Sequence, residues 1–422
     1  MDKTAFLLQI EQGKTDINDH NYLKAILSFR VAAQKDPENW RAPFWLAKAH
    51  EKLNNFGYML KYAEQTLSKD TTKIDPEIFF LMAKANHHLG NLKEAISYYD
   101  LALARINKKD VVLMEVPEQK AQAEFALKAE SQPKFAEKVA LPKDVNSGNN
   151  DYGAILSNDG KTLYFTSRRS NTTGRRQNPF DDLYYEDIYR AVWNSTDDFW
   201  DSISNEGILK RVNRNGFESM TWLSPDEKEA YLTINNSAVD EKIKTKSSDI
   251  FYTKKNSKGD WGNPRPVEEV NSTGFDAGAT LTADGTTMYF VSDRNLKKGS
   301  DIYVSHLNGR TWSVPVALSD TINTKGNETT PYITPDGKYL FFSSDYLPGM
   351  GGYDIFVSKN IGNDKWSKPV NLGATINTVN SDTHFQYYAD KKLALFASRI
   401  LVNQKSDIDI FKIDMTNFKF PE

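Results

Sequence analysis

Cysteine is absent from all 422 residues, which excludes disulfides, thiol nucleophiles and thiolate-held metals. Histidine is scarce, with six in the chain, and the adjacent pair His87-His88 would point about 100° apart on a helix, unsuited to joint ligation. No metal and no cofactor are therefore expected. Long apolar runs are missing as well: nothing approaches the ~20 residues that cross a bilayer, and Met1-Asp2-Lys3 does not open a basic, apolar signal peptide. Charge of one sign is not in excess either. Lys and Arg number 53 against 56 Asp and Glu, a net charge of -3, so there is no electrostatic pull toward a polyanion and nucleic acid is not an expected partner. A Gly-x-Ser-x-Gly elbow is also lacking, and no enzyme is expected.

What the chain does have is repetition. Asn21-Tyr22-x-x-Ala25-Ile26-x-x-Phe29, Asn55-Phe56-x-x-Met59-Leu60-x-x-Ala63 and Asn91-Leu92-x-x-Ala95-Ile96-x-x-Tyr99 share one phase at steps of 34 and 36 residues. Apolar positions at i, i+3, i+4 and i+7 make each an amphipathic helix. The preceding helices repeat at the same steps as Gly13-Lys14, Ala47-Lys48 and Ala83-Lys84, a small residue permitting close helix approach. Asp36-Pro37 and Asp75-Pro76 punctuate the turns between hairpins. Three hairpins and a capping helix over Pro117 to Glu130 are expected.

From about residue 134 the period changes to alternation, and two markers each occur five times. The first is Asp-Ile-Tyr/Phe, beginning at Asp187, Asp249, Asp301, Asp354 and Asp409. The second is Val/Ile-Asn with an acid five residues beyond the asparagine: Asn146 to Asp151, Asn213 to Glu218, Asn271 to Asp276, Asn323 to Glu328 and Asn377 to Asp382. Five four-stranded blades account for both counts. The last Asp-Ile-Phe has no outer strand after it, so Phe135 to Leu141 is expected to supply one and close the ring. Asp159-Gly160, Asp284-Gly285 and Asp336-Gly337 read as hairpin turns. The fold class expected is thus a helical-repeat domain over residues 1–131 followed by a five-bladed β-propeller over residues 132–422.

The helical repeats resemble the tetratricopeptide (TPR) family. The blades resemble the WD40-like PD40 repeats of TolB-type propellers, most closely in Leu281-Thr282-Ala283-Asp284-Gly285, Ser292-Asp293-Arg294 and Gly299-Ser300-Asp301-Ile302-Tyr303. Hairpins followed by such blades resemble envelope proteins of Bacteroidota, among them a type IX secretion component that also carries an OmpA-like domain. The resemblance implies a scaffold or adaptor in the periplasm, at the outer membrane, with other envelope proteins as partners and membrane contact only through a lipid anchor outside this chain. A glycan-binding or glycan-cleaving propeller is the alternative.

Three sets of site residues are expected. The TPR resemblance places Lys14, Phe44, Lys48, Phe80, Lys84 and His87 on a concave groove, suited to an acidic peptide or simply solvated. The long loop Arg168 to Glu186 offers Arg168, Arg169, Arg175, Arg176, Tyr184 and Tyr185, with Phe180, as a partner contact, because arginine and tyrosine concentrate at binding hot spots. The repeated acids Asp151, Glu218, Asp276, Glu328 and Asp382 begin the innermost strands and are expected as a ring at the channel mouth, either locking blades together or holding a cation.

Overall fold

The computed structural model describes residues 3–69, 74–178, 181–196, 199–235, 247–295, 299–402 and 405–422. Two compact units emerge: one comprises Met1–Gln132 with Pro179–Asp182 and Ile400–Asp407, the other Pro133–Asn178, Leu183–Arg399 and Ile408–Glu422.

The first unit is built from antiparallel hairpins α1 (Lys3–Asn18) and α2 (Tyr22–Lys35), α3 (Arg41–Lys52) and α4 (Phe56–Leu67), and α5 (Glu77–His88) and α6 (Leu92–Arg105). Each first helix ends the same way. His20, Asn54 and Gly90 take positive φ of 60°, 53° and 82°, and the next amide closes back on the helix: Asn21 N–H to Asp16 O, Asn55 to His50 O, and Asn91 to Asn86 O, at 2.7 to 3.0 Å. This satisfies carbonyls that a helix end otherwise leaves open. The small residue at position 13 matters as expected, since a Cβ there would lie 2.4 Å from the Phe29 ring. A short helix not foreseen from the sequence, α7 (Lys108–Leu113), precedes α8 (Val116–Glu130), which packs on α6 through buried Val116, Ala123 and Ala126.

The second unit is a five-bladed propeller. Strand β1 (Lys138–Ala140) is followed by blade 1, with β2 (Asp151–Leu156), β3 (Thr162–Ser167), β4 (Asp187–Asn194) and β5 (Phe199–Ser204). Blade 2 holds β6 (Phe217–Leu223), β7 (Glu229–Asn235), β8 (Asp249–Lys254) and β9 (Arg265–Pro266). Blade 3 holds β10 (Asp276–Leu281), β11 (Thr287–Ser292), β12 (Asp301–Asn308), β13 (Thr311–Trp312) and β14 (Val316–Ala317). Blade 4 repeats that plan with β15 (Glu328–Ile333), β16 (Tyr339–Ser344), β17 (Asp354–Gly362), β18 (Lys365–Trp366) and β19 (Val370–Asn371). Blade 5 holds β20 (Asp382–Tyr388), β21 (Leu393–Val402) and β22 (Lys405–Asp414), and β1 is its fourth strand. The register Lys138↔Ile413, Val139↔Lys412, Ala140↔Phe411 zips the ring shut from both ends of the unit.

The Asp-Gly turns are as expected: Gly160, Gly285 and Gly337 have φ of 75°, 69° and 70°. Each aspartate accepts from the amide two residues on, as in Lys161 N–H to Asp159 at 2.9 Å, which holds its carboxyl below the usual range. Blade 2 lacks the glycine, and Glu227 itself adopts φ 57°.

Candidate functional site

The two five-fold markers turn out to be halves of one device. At every junction the marker asparagine grips the isoleucine of the preceding Asp-Ile-Tyr/Phe. Its Oδ1 accepts the isoleucine N–H at 2.8 to 2.9 Å, and its Nδ2 donates to the isoleucine C=O at 2.8 to 3.0 Å. The pairs are Asn213 with Ile188, Asn271 with Ile250, Asn323 with Ile302, Asn377 with Ile355 and, closing the ring, Asn146 with Ile410. The isoleucine and the Val or Ile before each asparagine are all 0% exposed, so both grips are made out of water.

This clasp changes the reading of the acids. Asp151, Glu218, Asp276, Glu328 and Asp382 are each 0% exposed and do not ring the channel mouth. Four of them cap the loop that carries the asparagine. Asp151 accepts the Ser147 N–H at 2.6 Å and the Arg169 guanidinium at 3.0 Å; Asp276 accepts Ser272 N–H at 2.5 Å and Arg294 at 2.7 Å. Glu328 takes Thr324 N–H at 2.8 Å and the Ser344 hydroxyl at 2.7 Å, and Asp382 takes Thr378 N–H at 2.6 Å and the Ser398 hydroxyl. Glu218 is the exception: among the described residues neither of its oxygens has a hydrogen-bond partner of ordinary geometry, and the backbone N–H of Arg214, four residues earlier, is turned toward it without the hydroxyl partners that the other acids have.

Sequence reasoning expected a central channel but missed the residues that line it, a cavity of about 380 Å³ bounded by the inner strands. Four inner strands bulge at the residue two beyond the acid, where Gly153, Gly278, Thr330 and His384 have φ of 63°, 65°, 46° and 55°. The glycines take that conformation freely, whereas Thr330 and His384 are strained there. All four line the cavity, with Tyr152, Glu186, Phe217, Phe275 and Gln386 among their neighbours. The His384 Nδ1 lies 2.9 Å from the Thr383 hydroxyl, its ring is 5.0 Å from that of Tyr152, and burial lowers its pKa to about 4, so the imidazole is neutral. Glu186 is the single carboxylate among the described lining residues. A retrospective signal exists in the sequence, since Gly153 and Gly278 recur at one offset from the acids. A second cleft of about 630 Å³ lies between blades 2 and 3, walled by Trp222, Tyr231, Tyr252 and Trp312.

The blade 1 loop divides its predicted residues. Arg168 is buried and donates to Tyr184 O at 2.6 Å, while Arg169 is spent on Asp151, the Ser167 hydroxyl and the carbonyls of Asp144 and Val145. Tyr185 is buried edge-on against Phe217 at 4.8 Å. Arg175 and Arg176 are exposed and Tyr184 is half-buried, which leaves these three accessible to a partner. Phe180 lies outside the described residues.

On the helices, Phe44, Phe80 and His87 are packed inside rather than lining a groove, at 3%, 5% and 1% exposure. Phe44 belongs to the core with Phe56 and Met59; Phe80 and His87 both meet Tyr99. The lysines are half-buried, and each already has a carboxylate. Lys14 pairs with Glu11, Lys48 with Glu77 and Lys84 with Glu51, all at 2.7 Å, the last two crossing between α3 and α5. Lys14 and Lys48 also lie 5.1 and 5.0 Å above the Trp45 ring, and Lys84 lies 6.0 Å above Phe80. Burial raises the Glu51 pKa less than Lys84, Lys52 and Lys48 lower it, so it stays ionised. A clamp of free cations for an acidic peptide is not what these residues form.

No family model matches the chain, and no curated protein matches it in sequence. Solved structures do match. The first TPR of Spaghetti (RPAP3) bound to the HSP90 peptide SRMEEVD is 20% identical, covering 30% of this chain and 97% of its own, with a TM-score of 0.27. An endo-arabinase from Bacteroides thetaiotaomicron is 14% identical over 67% of this chain and 97% of its own, TM-score 0.41. A glycoside hydrolase is 9% identical over 72% and 98%, TM-score 0.43. These are likenesses of fold.

Proposed function

We propose that this chain is a non-enzymatic scaffold that joins protein partners in the bacterial cell envelope, periplasmic and associated with the outer membrane, within a type IX secretion, gliding or outer-membrane assembly complex. The observation that carries the reading is the ladder on the first helices. Three lysine–glutamate pairs, one within α1 and two bridging α3 and α5, with their lysines seated on aromatic rings, form a surface with which a polar extended segment can exchange partners without stranding a buried charge. The propeller adds Arg175, Arg176 and Tyr184. Hydrolysis of a glycoside ordinarily needs two carboxylates facing one site, and the central cavity has Glu186 alone among its described lining residues, while Glu218 and Glu328 are enclosed.

Photo-crosslinking residues placed at positions 48, 84 and 175 of the full chain, in its native cells, test this. Adducts to envelope proteins from both units are the expected result. Adducts from neither, or a cytoplasmic location on fractionation, would overturn the proposal.

A further inference from the structure

Five quasi-equivalent junctions provide an internal control for the odd one. In four, the acid that starts the inner strand has a Ser or Thr four residues earlier and a serine directly opposite on the next strand: Asp151↔Ser167, Asp276↔Ser292, Glu328↔Ser344 and Asp382↔Ser398. Between blades 1 and 2 both hydroxyls are gone. Arg214 stands four residues before Glu218, its guanidinium 5.9 Å over the Phe251 ring rather than on the carboxylate, and Ile234 stands opposite. Yet the carboxylate is kept, fully buried.

A second buried acid lies beside it. Glu186 and Phe217 form a parallel bridge, and the Glu218 N–H reaches Glu186 O at 3.4 Å, which sets Asp187 alongside Glu218. The Asp187 Oδ2 is fully used by the Thr173 N–H and hydroxyl and by Asn205, at 2.7 to 2.9 Å, but its Oδ1 has no hydrogen-bond partner among the described residues. Three buried carboxylate oxygens on two adjacent acids are therefore open, a costly arrangement for groups held away from water.

We propose that Asp187 and Glu218 bind a calcium ion. Oxygen donors select a hard cation, two carboxylates balance a divalent one, and the enclosed position disfavours magnesium, which keeps several waters. Among the described residues no third acidic or histidine side chain completes a metal group, so backbone carbonyls and water would supply the remaining ligands. At the four other junctions hydroxyls, amides and two arginines already meet the acid that starts the inner strand. Asp354, the counterpart of Asp187 beside Asp382, also has one open oxygen among the described residues, but there the neighbouring acid is satisfied and no pair of open carboxylates arises.

Equilibrium dialysis of the chelator-treated full chain against calcium is the deciding measurement, with about one ion bound per chain expected. Calcium at a hundredfold excess over its Kd would raise the propeller Tm by roughly 5 °C. Glu218→Gln and Asp187→Asn would each abolish binding and shift, and Glu328→Gln would retain both. No calcium bound by the unaltered chain, an equal shift with sodium, or full binding by Glu218→Gln would each overturn the assignment. Since the first of these needs no variant, a substitution that fails to fold leaves the test intact.

Discussion

Gly13 and Gly285 show two different reasons for glycine, and they predict different responses. Gly285 has open space around a would-be Cβ but φ of 69°, so Gly285→Ala should cost about 1 kcal/mol of propeller stability through backbone strain alone. Gly13 has ordinary helical backbone but faces Phe29 at 2.4 Å, so Gly13→Ala overpacks the first hairpin, at a cost of about 1 to 3 kcal/mol. Trimming the ring with Phe29→Leu should recover part of the second loss and none of the first, as urea denaturation of the single and double variants would show. The same distinction applies in the cavity, where Thr330 and His384 hold a conformation their blade 1 and blade 3 counterparts give to glycine.

At the scale of elements, blade packing is directed as well as hydrophobic. Each clasp asparagine satisfies the N–H and C=O of an isoleucine whose side chain is fully enclosed, on a strand that must hold its neighbour blade. Asn323→Ala leaves both backbone groups without that partner and should destabilise the propeller by roughly 2 to 4 kcal/mol. Asn146→Ala should cost more in ring closure, because that clasp and the three-residue β1 pairing lie at the seam where the two ends of the propeller meet. Thermal melts giving Asn146→Ala a smaller loss than Asn323→Ala would contradict this role. The clasp also explains why two sequence markers keep the same count: each is useless without the other.

For the whole molecule, buried titratable groups set opposite pH responses in the two units. In the propeller, burial raises Asp187, Asp249 and Asp382 to about 6 from an ordinary 3.8, and lifts Asp151 and Glu328 as well, with neighbouring acids adding to the rise at Asp249 and Glu328. A raised pKa in the folded state contributes stability at low pH that is lost as pH rises through about 6. In the helical unit His50 is stacked between Tyr58 and Tyr62 at 5.0 and 5.4 Å, and burial, with Arg30, lowers it to about 4 from 6.5. There the folded state resists protonation, and stability is lost as pH falls from 6.5 toward 4. Calorimetry with chelator present should show the propeller transition moving up and the helical transition moving down between pH 7 and 5, His384 opposing the first trend in part. Two transitions shifting the same way would refute this.

Much of the architecture was legible because periodicity and counting are local. Steps of 34 and 36 residues mark the hairpins, Asp-Gly marks the turns, and five paired signatures with a displaced first copy require a ring closed by the segment after the helices. Whether a side chain at a repeated position faces water or its neighbours is not local. Lys48 meets Glu77 and Lys84 meets Glu51 only when α3 packs on α5, and the acids vanish from the channel only when the loop before each strand folds back as a cap. Repeat spacing by itself determined how many elements there are and in what order they join. Tertiary packing decided which of their polar groups remain available, because burial and hydrogen-bond satisfaction depend on residues far apart in the chain.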